Sequence, residues 1–146
     1  MNGDNLYFDT SALLPYYREE ESTPHVQSFL SAIQPPVSLS DLTRVEFASA
    51  LARWTRMNEL DEPQAALIEN TFRQDLLAGL YLVRPLTSSH YRQAEHWLYA
   101  RKTAIRALDA LHIACCWSFR ASLVTCDTLM HEAAQMLGLK SIFIGS

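Results

Sequence analysis

Four of the sixteen acidic residues in this 146-residue chain stand where an acid is costly. Asp9 closes the apolar run LYF and opens TSALLPYY. Glu46 interrupts LTRVEFASALA. Asp109 sits among Leu108, Ala110, Leu111 and Ile113, and Asp127 follows the strand-like SLVTC. A carboxylate taken out of water needs a partner or it must give up its charge. Each of the four has a local structural explanation. Asp9 and Asp127 are good helix caps, Glu46 has Arg44 and Arg53 nearby in sequence, and Asp109 follows Arg106 by about one helical turn. The other twelve acids lie mostly in polar runs or helix starts, where solvation or capping accounts for them. Brought together, however, four carboxylates repel one another. A hard divalent cation with oxygen ligands, Mg²⁺ or Mn²⁺, resolves that repulsion.

Delivering the four acids to one place is the task of the surrounding elements. Residues 6–9 read as a first strand. Ser11 is a candidate cap for a helix through YYREE, with Pro15 in its first turn. STPHVQSFLSAI is a second helix, capped by Thr23 with Pro24 at its first position. PPVSLS is a short strand, and Ser40 or Asp41 caps a third helix to about Met57. Asp61 and Pro63 open a fourth helix that closes at Gly79. LYLVRPL is a strand, Ser88 or Ser89 caps a fifth helix, and residues 105–119 form a sixth. SLVTCD is a strand, TLMHEAAQMLG a helix closed by Gly138, and SIFIG a last strand. Apolar strands alternating with helices predict one α/β domain over residues 1–146. Its architecture is an α/β/α sandwich on a mostly parallel sheet of four to five strands. Ligands of such sheets bind beyond the C-terminal strand ends, where Asp9 and Asp127 fall.

Composition narrows the classes of function. The chain is 49% hydrophobic and 19% charged, with a formal net charge of −4. That suits an ordinary globular domain and argues against coating nucleic acid by bulk charge. The charge is uneven. Residues 84–106 carry five of the twelve Lys and Arg residues and one acid, Glu95. No apolar run reaches membrane-spanning length and MNGDN does not resemble a signal peptide, so no membrane partner and a cytoplasmic location are expected. Three cysteines without metal-ligand spacing are expected to be reduced and buried. Four glycines form no phosphate loop, and the scattered histidines make a zinc site improbable.

LYFDTSALLPYY, LTRVEFASAL, IRALDALHIACCW and LVTCDTLMHEAAQMLGLKSIFI, taken in order, resemble the PIN-domain ribonucleases, and most closely the VapC-like toxins of type II toxin–antitoxin pairs. The resemblance spans nearly the whole chain, although residues 58–105 carry almost no motif. It implies Mg²⁺- or Mn²⁺-dependent endoribonuclease activity, with Asp9, Glu46, Asp109 and Asp127 as the acidic quartet that binds metal. Thr125, Thr10 and Ser11 match its supporting hydroxyls. It also implies a homodimer, and a VapB-like antitoxin whose C-terminal segment covers the acidic groove. Local reasoning alone adds Arg106, Arg101, Lys102 and Arg92 as candidate RNA contacts, with His112 one turn beyond Asp109 on the same flank. For Trp97 the spacing favours core packing. Two alternatives share these features: a catalytically silent binding module with the same fold, and a metal-dependent nuclease acting on DNA.

Overall fold

The computed structural model describes residues 2–145. After a short 3-10 turn, strands and helices alternate: β1 (Leu6–Phe8), α1 (Thr10–Tyr17), α2 (Thr23–Ser31), β2 (Val37–Ser40), α3 (Asp41–Arg56), α4 (Glu62–Leu77), β3 (Tyr81–Arg84), α5 (Ser88–Ala100), α6 (Ala107–Ser118), β4 (Ser122–Thr125), α7 (Thr128–Met136) and β5 (Ser141–Phe143). The five strands form one parallel sheet in the order β3-β2-β1-β4-β5. From β1 the chain builds outward one way through β2 and β3, then returns to add β4 and β5 on the other side. β1 and β4 therefore flank the switch point of the sheet, where open parallel sheets bind ligands.

Both faces of the sheet are covered. Leu6 and Phe8 of β1, with Leu39 and Val124, pack against Leu13, Val26, Phe47 and Trp54 of α1, α2 and α3. Tyr7 points the other way, as strand alternation requires. With Leu123 it joins the core formed by α5, α6 and α7, including Ile113, Cys115 and Met130. This double burial explains why the strands read as continuous apolar runs. All three cysteines are free thiols; Cys115 and Cys116 are buried and Cys126 is half-buried. Trp97 joins the second core, edge-on to Trp117 with ring centroids 6.1 Å apart.

Helix starts depart from expectation in four places. Asp9, not Ser11, caps α1, and Ser11 lies inside the helix. Pro15 falls in the body of α1 rather than its first turn. Thr23 is the first residue of α2 rather than its cap. Its hydroxyl accepts from Glu20 N at 2.8 Å and donates to Pro15 O at 2.7 Å, so it ties the incoming loop to α1. Thr87, which precedes both expected serines, occupies the cap position of α5. Elsewhere the reading holds. Asp61 Oδ1 accepts from Gln64 N and Gln64 Oε1 accepts from Asp61 N, a reciprocal cap at the start of α4.

The α5–α6 pair sets the approach to the acids. His90, at the start of α5, lies 2.8 Å from Ser118 Oγ, at the end of α6, so the two helices run antiparallel. The loop of residues 101–106 and the first turn of α6 therefore share one end of the pair.

Candidate metal centre at the sheet edge

Asp9 is the residue immediately after β1. Its backbone N–H still donates to Val124 O at 3.2 Å, which extends the ladder by one residue. Its side chain turns back over α1. Oδ1 accepts from Ala12 N at 3.1 Å and from Ser11 Oγ at 2.7 Å, while Oδ2 accepts from the Thr125 hydroxyl at 2.6 Å. Only 2% of Asp9 is exposed. Burial pushes its carboxyl above the usual value. The Thr125 bond, the nearby His112, the Ser11 bond and the Ala12 N–H oppose that push without cancelling it.

Thr125 joins the first acid to the last. It is fully buried, donates to Asp9 and accepts from Asp127 N at 3.0 Å. β4 stops at Thr125, so Asp127 lies beyond the strand rather than at its end, and strand alternation does not relate the two residues. Just past the strand, Cys126 N donates to Ser11 Oγ at 3.0 Å. Asp127 is exposed and caps α7, with Oδ1 accepting from Leu129 N at 2.9 Å and Met130 N at 3.3 Å.

Glu46, in the second turn of α3, pairs with neither Arg44 nor Arg53. Its Oε1 accepts from Thr10 Oγ1 at 2.6 Å and lies 2.5 Å from His112 Nε2. Burial alone would raise its pKa. The His112 hydrogen bond and charge, with the Thr10 hydroxyl, outweigh that and hold the carboxyl below its usual value. Asp109 is half-buried at the third position of α6, where Oδ2 accepts from Arg106 N at 3.3 Å. Arg106 thus meets it through its backbone.

α1 links these groups with consecutive hydroxyls. Thr10 holds Glu46 and Ser11 holds Asp9, which gives both supporting hydroxyls a defined contact. Arg101, Lys102 and Arg106 are exposed at the end of the helix pair that carries Asp109. Arg92 is exposed in the first half of α5, towards the opposite end. His112 is not a surface flank. It is buried against Glu46 and Tyr7.

The donor set fits a hard cation. In each acid at least one oxygen is anchored by the protein. Glu46 Oε2, Asp109 Oδ1 and Asp127 Oδ2 accept no hydrogen bond among the described residues, and Asp9 Oδ2 has only the Thr125 hydroxyl. Anchored carboxylates with a spare oxygen are what Mg²⁺ or Mn²⁺ requires. Among the described residues no three Asp, Glu, His or Cys side chains already stand as a closed ligand group.

Sequence reasoning missed Tyr7 and Ser40, and misplaced His112. The signal in each case is a polar group on a buried face. His112 lies in a helix whose residues 110–116 are all buried, and such a ring must find a partner.

The fold defines an α/β/α class whose parallel sheet carries the buried Asp9 at its switch point. Residues 6–135 match the PIN domain model, and the chain belongs to that family. Sequence comparison with curated proteins finds no match. Among solved structures the chain is similar to FitAcB from Neisseria gonorrhoeae, with a TM-score of 0.75 and 19% identity over 95% of this chain and 97% of that one. It is similar to Mycobacterium tuberculosis VapC20, a Sarcin-Ricin loop cleaving toxin, with a TM-score of 0.69 and 15% identity over 94% and 98% of the two chains. VapBC2 from Rickettsia felis, solved bound to a DNA fragment from their promoter, gives a TM-score of 0.67 at 14% identity over 98% of each chain.

Proposed function

We propose that this protein is a Mg²⁺- or Mn²⁺-dependent endoribonuclease and the toxin of a toxin–antitoxin pair. The observation that carries the reading is Asp9: a buried carboxylate at the switch point of the sheet, fixed by Ser11, Ala12 and Thr125, with Glu46, Asp109 and Asp127 each keeping a spare oxygen. Membership of the PIN domain family and likeness in fold to an RNA-cleaving toxin support it.

In this reading Asp9 and Asp109 would hold the main ion, with Glu46 and Asp127 holding a second ion or metal-bound waters. When bound, the ion supplies positive charge to the scissile phosphate and makes the attacking water more acidic. Thr125 and Ser11 keep Asp9 in one rotamer, and Thr10 does the same for Glu46. Arg101, Lys102 and Arg106 contact phosphates flanking the cut, offsetting the acidity of the edge. Water attack leaves a 3′-hydroxyl and a 5′-phosphate, and no side chain acts as nucleophile. A homodimer and an antitoxin segment laid across the acidic edge complete the proposal, which places the protein in the cytoplasm.

The test is a panel of matched single-stranded RNA and DNA substrates, with Mg²⁺, Mn²⁺ or chelator, for wild type and Asp9→Asn. Cleavage of RNA that needs the metal and is lost in Asp9→Asn is expected. Cleavage of DNA alone would move the substrate. No cleavage under any condition, in a protein that still binds its partner, would leave a binding module.

A further inference from the structure

An open circuit of polar contacts lies behind Glu46, on the side away from solvent. It starts at Ser40, the residue that precedes α3. Ser40 Oγ is 2.8 Å from the Tyr7 hydroxyl, which is 2.6 Å from His112 Nδ1, and His112 Nε2 is 2.5 Å from Glu46 Oε1, back on α3. Ser40 and Tyr7 are wholly buried and His112 is 2% exposed. Tyr7 on β1, Ser40 at the end of β2, Glu46 on α3 and His112 on α6 are therefore joined through four polar groups, with the buried Thr43 hydroxyl 3.4 Å from Ser40 Oγ.

Such a circuit is expensive unless every member is satisfied, and leucine or phenylalanine would fill the same space without that demand. Its geometry also has a direction. A carboxylate only accepts hydrogen bonds, so the ring donates from Nε2 and Tyr7 meets the other nitrogen. Oε1 of Glu46 is then saturated by His112 and Thr10, and Oε2 is left over. His112 follows Asp109 by three residues on α6, so the two occupy neighbouring positions on one helix face.

We propose that Tyr7 and His112 are positioning residues that present Glu46 to the metal through a single oxygen, Oε2. The inference rests on the metal-dependent reading of the acidic edge. His112 touches neither substrate nor ion. It orients a ligand, as partners behind metal ligands do, and Tyr7 orients the imidazole.

Calorimetric titration of the protein with Mn²⁺ tests this without RNA. His112→Leu keeps the volume and loses the donor, and it should weaken Mn²⁺ binding by about 10–100-fold, the usual cost of removing such a partner. His112→Gln, whose amide reaches Glu46, should recover most of that loss. Tyr7→Phe removes one oxygen and should weaken binding in the same direction by less. In a Glu46→Ala background, His112→Leu should change the affinity no further. A merely structural role would weaken binding equally in both backgrounds, and that result overturns the proposal. So does unchanged Mn²⁺ affinity in His112→Leu and Tyr7→Phe. If His112→Leu does not fold, Tyr7→Phe with and without Glu46→Ala decides alone. A wild type that binds no Mn²⁺ overturns the metal-dependent reading itself, whereas a binding wild type with indifferent variants overturns only the roles of Tyr7 and His112.

Discussion

Asp127 has two jobs that one substitution separates. Its Oδ1 caps α7 and its Oδ2 is spare. Asn caps as well as Asp does but is a poor anionic ligand. Asp127→Asn should therefore unfold near the wild-type temperature, cleave RNA far more slowly and need more Mn²⁺. Asp127→Ala should also lose about 1 kcal/mol of stability with the cap. If Asp127→Asn cleaves at the wild-type rate across a Mg²⁺ titration, the residue only caps. Asp9 makes a prediction in pH. Burial favours its neutral form, so above the ordinary value of 3.8 the folded state keeps a proton that the unfolded chain has released. Metal-free stability contributed by this group is greatest at low pH, falls as pH rises through that window, and stays reduced above the raised value. Asn removes the effect. Without metal, Asp9→Asn should melt above wild type at pH 7, with the gap closing towards pH 3. A lower melting point for Asp9→Asn at pH 7 would show that the charge is well accommodated.

At the scale of elements, α5 ends on Arg101 in the left-handed conformation, with φ of +54°. Glycine adopts that conformation without the steric penalty of a side chain. Arg101→Gly should raise stability by about 1 kcal/mol in thermal unfolding, yet weaken RNA binding and reduce its salt slope by about one unit. A more stable variant with an unchanged slope would assign Arg101 to plain surface. The same elements show what could be read in advance. All five strands and seven helices were visible, because apolar runs and capping residues change over sharply between them. Caps were misassigned where the sequence offers several acceptors in a row, as in Asp9-Thr10-Ser11 and Thr87-Ser88-Ser89. Any of these can bond a free helix N–H, and only the chain's entry direction selects one. The four acids were legible as candidates because each breaks an apolar pattern. Tyr7 and His112 were not, because tyrosine is an ordinary strand former and a histidine's partner depends on which elements become neighbours. Nothing local in β1 says that α6 will lie across it.

For the whole molecule, an ion bound at the proposed site would add to folding stability by mass action. Saturation at about a hundred times the dissociation constant is worth roughly 2.7 kcal/mol. Wild type should show that gain as a rise in melting temperature with Mn²⁺, and Asp9→Asn should show much less. Equal shifts in both would place the ion elsewhere. The topology carries one more consequence, concerning the order in which the chain is made. β1 emerges early, but its neighbour β4 comes last but one among the strands, and the Asp9–Thr125 hydrogen bond spans 116 positions. A nascent chain can pair β1, β2 and β3 while Asp9 still lacks Thr125, Asp109, His112 and Asp127. Closing so long a loop is also slow compared with forming helices. Under the proposed activity, the acidic site therefore stays incomplete, and the message and ribosome producing it stay out of its reach, until β4 slots in beside β1.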